Sequence, residues 1–241
     1  MEINKLLLLS GGDVPFAAAQ VTIHQPKLKE IAIIGEENFF IGARFLLFSK
    51  DDISSEDKVD LSQIDDFDIF MSIMNSKEKI KHKLYAIQVL TLMFPDIKFK
   101  IEKDKILLQL ENFESSINKE NFKELQSAIQ QMFFIDEEAK DQFNPADALA
   151  QKIANKIKKG QEKRAKSKGQ LIDKEVRIIE RNASILAVGM SKDINQLMDY
   201  TLYQLFAEYK RYQKKVSYDL MLQAKIAGAT GLEEVDNWME D

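Results

Sequence analysis

Only four prolines interrupt the chain, at positions 15, 26, 95 and 145, so no proline breaks the backbone after Pro145. Proline removes a helical donor and clashes with the preceding turn, and its scarcity favours long helices. Nine glycines in 241 residues point the same way and exclude collagen-like or linker-dominated architectures. Past residue 170 the apolar spacing is helical almost throughout. It predicts one helix from Lys174 to Val188 and a second stretch from Asp193 to about Ala227, broken once. Ser191 is placed to cap the second stretch, and Gly228-Ala229-Thr230-Gly231 ends it before an acidic tail.

The first hundred residues mix two periodicities. The Leu6-Leu7-Leu8-Leu9 run, ahead of Ser10-Gly11-Gly12, reads as a short buried strand ending in a turn. Val21-Thr22-Ile23-His24 is a second strand, stopped at Gln25-Pro26. Leu28, Ile31, Ala32 and Ile34 share one side of a short helix that Gly35 terminates. Phe39, Phe40, Ala43, Leu46 and Leu47 then recur at helical spacing around Gly42, where a missing Cβ permits a close helix contact. A polar loop is expected over residues 50–62. A helix with Phe67, Phe70, Met71 and Met74 inward follows Asp65-Asp66, and another runs from Ile80 to Phe94. Ile97 to Ile101 alternates with period two and returns as Ile106 to Leu110, the pattern of a hairpin. Asn118 is placed to cap a helix reaching about Phe134.

Charge divides the chain more sharply than hydropathy does. The opening Asn144-Pro145-Ala146-Asp147 is a helix start, and from Gln151 to Gly169 eight basic residues face the single acid Glu162. That stretch carries +7 and the remainder −12, giving the net charge of −5. The expected fold is α+β and predominantly helical. It comprises a mixed N-terminal domain over 1–143 with a small strand and hairpin component, a basic linker helix over 144–170, and a C-terminal helical region over 171–241.

Recognisable catalytic machinery is missing. With no cysteine there is no disulfide, thiolate metal site or thiol nucleophile. His24 and His82 are the only histidines and lie 58 positions apart, far from the paired spacing of a helical zinc site. Ser10-Gly11-Gly12 lacks the lysine and flanking glycine of a phosphate-binding loop, and no Gly-x-Ser-x-Gly occurs. The acidic clusters at Glu36-Glu37, Asp51-Asp52, Asp65-Asp66 and Asp136-Glu137-Glu138 read as solvated faces or helix starts. The sequence therefore predicts a binding or assembly protein with no enzymatic activity, no metal and no cofactor. No run approaches the ~20 apolar residues that cross a bilayer, and no secretory leader is visible, so the expected location is the cytoplasm where the chain is made.

Two surfaces remain. The basic one comprises Lys152, Lys156, Lys159, Lys163 and Arg164 beside a narrow stripe of Ala150, Ile153, Ala154 and Ile157. It reads as a solvated linker helix or as a dock for an acidic partner, including another copy of the chain. Nucleic acid is disfavoured because no aromatic residue interleaves with the lysines. The aromatic surface comprises Tyr200, Tyr203, Phe206, Tyr209 and Tyr212, with Tyr218 beyond. Each three-residue step advances about 300° around an ideal helix, so the stripe winds and meets more than one neighbour. It serves core packing or a partner interface. Trp238, the only tryptophan, sits in the acidic tail as either a clasp folded back on the body or a recognition anchor.

Three groups of residues together resemble the tail assembly chaperones of phages that infect low-GC bacteria. They are the run from Val21 to Phe39, the Asn144-Pro145-Ala146-Asp147 opening with the basic run to Gly160, and the ending. The ending comprises Tyr200 to Phe206, Tyr218-Asp219, Ala227-Gly228-Ala229 and Asn237-Trp238-Met239. Residues 50–130 carry none of it. The resemblance implies a non-enzymatic protein that keeps the helices of the tape measure protein soluble and helps recruit major tail protein in the host cytoplasm. It also implies that a longer frameshifted form is common in such families. The alternative is a structural virion component of the tail, baseplate or head–tail connection.

Overall fold

The structure is a computed structural model, and it describes residues 1–50, 64–76, 80–111, 113–134, 177–229, 237 and 239. It is α+β and predominantly helical, with one two-stranded and one three-stranded antiparallel sheet among the described residues.

The leucine run is a helix, α1 (Lys5–Ser10), and not the strand its composition suggested. Asn4 Oδ1 accepts the Leu6 N–H at 2.8 Å, and Gly11 at φ 69° closes the other end with its N–H on the Leu8 carbonyl. Four apolar residues in a row fit either element, and here the two caps decide. Only Leu8 of the run is buried; Leu6 is 72% exposed. β1 (Val14–Phe16) and β2 (Val21–Ile23) pair antiparallel with Val14 opposite Ile23, burying Val14, Phe16 and Ile23. The buried Gln25 amide donates to the Gly12 carbonyl at 2.7 Å and fastens the turn after α1 to the end of β2.

α2 (Leu28–Ile34) and α3 (Glu36–Leu47) meet at Gly35, whose φ of 89° is open to glycine and costly to other residues. α3 packs on α5 (Ile80–Met93), the most extensive helix pairing among the described residues. Gly42 makes it possible: a Cβ there would overlap the Tyr85 carbonyl and lie 2.9 Å from Val89 Cγ2. The close contact expected from the sequence is therefore present. α4 (Asp66–Asn75) starts at a reciprocal cap between Asp65 and Asp68, and its Phe67 and Phe70 rings lie 5.2 and 5.1 Å from Phe122 of α6 (Phe122–Met132).

The expected hairpin forms β3 (Lys98–Ile101) and β4 (Ile106–Leu110), with Phe99 opposite Leu108. A third strand, β5 (Phe113–Ile117), completes the sheet in the order β3-β4-β5. Helix α6 begins later than Asn118 suggested. Asn118 and Asn121 instead bond across the turn before it, where Asn121 Oδ1 accepts the Asn118 N–H at 2.8 Å.

The C-terminal elements are α7 (Ile178–Gly189), α8 (Ile194–Met198) and α9 (Leu202–Ile226). Ser191 caps neither of the last two. It sits at φ 53°, while Asp193 caps α8 and Thr201 forms a reciprocal cap with Gln204 at the start of α9. Ile179, Ala183, Leu186, Leu197, Leu202 and Leu205 join the same apolar core as Leu8, Leu28 and Phe39. Polar bonds reinforce that junction: the Leu28 N–H reaches the Tyr200 carbonyl at 2.8 Å, and Gln204 Nε2 reaches the Leu9 carbonyl at 2.7 Å. Of the polar loop expected over 50–62 only residue 50 is described, and the basic helix at 144–170 lies outside the described residues.

Candidate functional site

The aromatic stripe lies on the first half of α9, and its winding sends it to two neighbours. On one side Phe134 lies between Tyr203 (centroids 5.3 Å apart, edge-on) and Phe206 (6.3 Å, stacked), with Lys210 Nζ 5.7 Å above the Phe134 ring. Such aromatic pairs contribute about 0.5–1.5 kcal/mol beyond the area they bury. On the other side Tyr212 crosses α7 directly over Gly189, where a Cβ would collide with its hydroxyl.

Tyr200 stands at the start of this surface, before Thr201. Its hydroxyl accepts a bond from Lys192 Nζ at 2.7 Å, and the same ammonium lies 5.1 Å from the Tyr200 ring centroid and 3.4 Å from Glu208. Partial burial of Lys192 opposes its charge, but the Tyr200 hydroxyl and the Glu208 carboxylate outweigh it and raise the ammonium above its ordinary value. Tyr209 and Gln213, one turn apart, join through their side chains at 3.2 Å. All five predicted aromatic residues are half-buried, each packed on the core with part of its ring and edge left at the surface.

α7 and α9 pack against each other around Tyr212. Between them lies a hollow of 310 Å³ lined by Ile185, Tyr209, Tyr212, Gln213, Val216 and Ser217. Of the 25 residues of α9 only Leu202 and Leu205 are fully buried, and the second half leaves the core altogether. Leu220 is 60% exposed and Ile226 87%. The hollow, with Leu220 exposed one turn beyond Val216, can hold an amphipathic helix of another chain.

Residues that spacing alone did not single out complete the surface. Phe134 follows α6, Ile185, Gly189 and Lys192 belong to α7 and the turn after it, and Val216 lies on α9, and no local pattern announces them. The other predicted site residues, Trp238 and the basic set Lys152, Lys156, Lys159, Lys163 and Arg164, lie outside the described residues.

His24 sits between Asp13, 3.0 Å from its Nδ1, and Glu30, 3.3 Å from its Nε2, while Glu30 also accepts the Lys27 N–H that starts α2. The His82 ring packs 4.9 Å from Phe45. Among the described residues no three His, Asp or Glu side chains gather to hold a metal ion, and no helix is long and apolar enough to cross a membrane.

A family model described as the YomV second domain matches residues 179–241, a stretch that takes in most of α7 and all of α8 and α9. That family is phage-derived, which agrees with a phage protein. No curated protein and no solved structure matches the chain.

Proposed function

We propose that the chain is a non-enzymatic phage tail assembly chaperone that holds amphipathic helices of the tape measure protein and helps recruit major tail protein in the host cytoplasm. The observation that carries this reading is the union, within 179–229, of a phage-derived family match with an apolar hollow and an exposed helix face. Holding needs adaptable, partly apolar contact area and no converging catalytic groups. Tyrosines supply rings with polar tips, and nine methionines and fifteen phenylalanines in the chain supply deformable packing.

Co-expression with the tape measure protein of the same phage tests the reading. The tape measure protein moves into the soluble fraction and comes down with this chain, and double substitution of Val216 and Leu220 to glutamate abolishes both effects. An equally insoluble tape measure protein with and without this chain overturns it. Mature purified particles separate the structural alternative, since a chaperone is missing from them and a tail or baseplate component is present in fixed copy number.

A further inference from the structure

We propose that the outward face of α5 docks an acidic amphipathic helix of another protein, with Ile80, Leu84 and Ile87 as the apolar contact and Lys81 and Lys83 as its charged flanks. None of these residues lines the hollow at α9, so the inference is independent of the proposed client.

α5 is apolar around most of its circumference. Ala86, Val89, Leu90 and Met93 are buried and form its core side. A helix with apolar residues on both sides is ordinarily enclosed. Here the opposite side is open: Ile80 is 69% exposed, Leu84 is 52% exposed, and Ile87 is half-buried. These three stand at i, i+4 and i+7, a line over two turns and about 10 Å at 1.5 Å per residue. That is the anchor spacing of helix recognition, and not the scatter of single exposed side chains that any surface carries. The line stops at Thr91, whose hydroxyl donates to the Ile87 carbonyl at 2.9 Å.

Charge selects the partner. Between Ile80 and Met93 the helix carries Lys81 and Lys83 and no carboxylate. Viewed down the axis, the two lysines fall on opposite sides of the apolar line, about 100° and 60° from Ile80. Neither makes an ion pair among the described residues. Two such faces brought together would set lysine against lysine, which disfavours a second copy. An acidic helix meets the line with apolar residues and the flanks with carboxylates. Nucleic acid would leave the apolar centre unmatched, and two lysines fall short of the clusters of about 4–8 that read an anionic membrane.

A fluorescein-labelled helical peptide with leucines at i, i+4 and i+7 and glutamates beside them is the probe, and the same peptide with lysines for glutamates is the control. Anisotropy with the intact chain is expected to show saturable binding of the acidic peptide, with the lysine peptide weaker by about tenfold, the worth of two surface ion pairs. Raising the salt to about 1 M narrows that gap. Ile80→Ser/Leu84→Ser, at two exposed positions, leaves the circular dichroism unchanged and weakens the acidic peptide by about thirtyfold or more. Lys81→Glu/Lys83→Glu keeps the apolar line and reverses the preference in favour of the lysine peptide. Equal binding of the two peptides by the unsubstituted chain overturns the proposal. So does acidic-peptide binding that survives both variants, which places the contact on another face. Anionic vesicles and duplex DNA are run in parallel, and binding to either that falls in the charge variant while the peptide stays unbound overturns the choice of a protein partner.

Discussion

The Glu36 carboxylate accepts the Ile179 N–H at 2.8 Å, joining the first residue of α3 to the first turn of α7 across 143 positions. Its second oxygen lies 3.4 Å from the Glu180 N–H. One side chain at the start of its own helix thus supplies acceptors for the unpaired donors of another. Burial raises its pKa above the ordinary carboxylate value, and the backbone donors offset only part of that. A raised acid binds more protons folded than unfolded, so its contribution is full below the ordinary carboxylate range and declines as pH rises through the raised value. Glu36→Gln keeps an acceptor without the charge. Thermal melts of this variant gain on those of the unsubstituted protein between pH 4 and pH 7. Glu36→Ala, which leaves the donors without an acceptor, costs about 1 kcal/mol at pH 4 and less at pH 7.

Gly42 and Gly189 are both crowded, but by different atoms. At Gly42 the obstacle is the Tyr85 backbone of α5, which cannot move without displacing a helix. Gly42→Ala is expected to cost about 1–3 kcal/mol in urea unfolding, the usual range for an overpacked interface. At Gly189 the obstacle is the far end of the Tyr212 ring. Gly189→Ala therefore costs less stability than Gly42→Ala, and by moving Tyr212 it alters the hollow and weakens client capture in the co-expression assay. Equal losses of stability in the two variants would refute this distinction.

How far the fold could be read in advance depended on whether its cause was local. Gly42 within a run of phenylalanines, the alternation through Ile97 to Leu110 and the stop at Pro95 each carry their cause within a few residues, and α3, the hairpin and α5 follow them. β5 does not. Phe-Glu-Ser-Ser-Ile has no apolar alternation, and it is a strand because Ser115 faces Leu108 while Ser115 Oγ donates to the Ala19 carbonyl at 2.6 Å. The aromatic stripe was legible as a stripe. Its partners Phe134, Gly189 and Lys192 were not, because they reach it only through the turns that bring α6, α7 and α9 together.

Asp65 behaves opposite to Glu36. Its carboxylate accepts the Asp68 N–H at 2.8 Å and pairs with Lys119 at 2.7 Å. Burial pushes its pKa up, but the Lys119 ammonium and the Asp68 N–H prevail and hold it below the ordinary value. A lowered acid stabilises the fold above the ordinary carboxylate range and loses that contribution as pH falls through the depressed value. Asp65→Ala is expected to cost about 1 kcal/mol at pH 7, as for other helix caps, and less in acid. A cost that grows on acidification would contradict the cap and ion pair as its source.

Lys192 supplies the alkaline counterpart. Its ammonium is held above the ordinary lysine value, net of burial, by Tyr200 and Glu208. A raised base stabilises the fold fully below the ordinary lysine value of 10.5 and loses that stability as pH climbs through the raised one. Lys192→Met removes the charge while retaining much of the stem that packs near Tyr200. Its melting temperature falls at pH 8 and approaches that of the unsubstituted chain above the lysine range. Tyr200→Phe takes away only the acceptor hydroxyl, with an expected cost of about 1 kcal/mol. In the double variant Lys192→Met/Tyr200→Phe the two losses do not add, because either substitution alone already breaks the 2.7 Å bond. Fully additive losses in that cycle would place the stabilising contacts of Lys192 elsewhere.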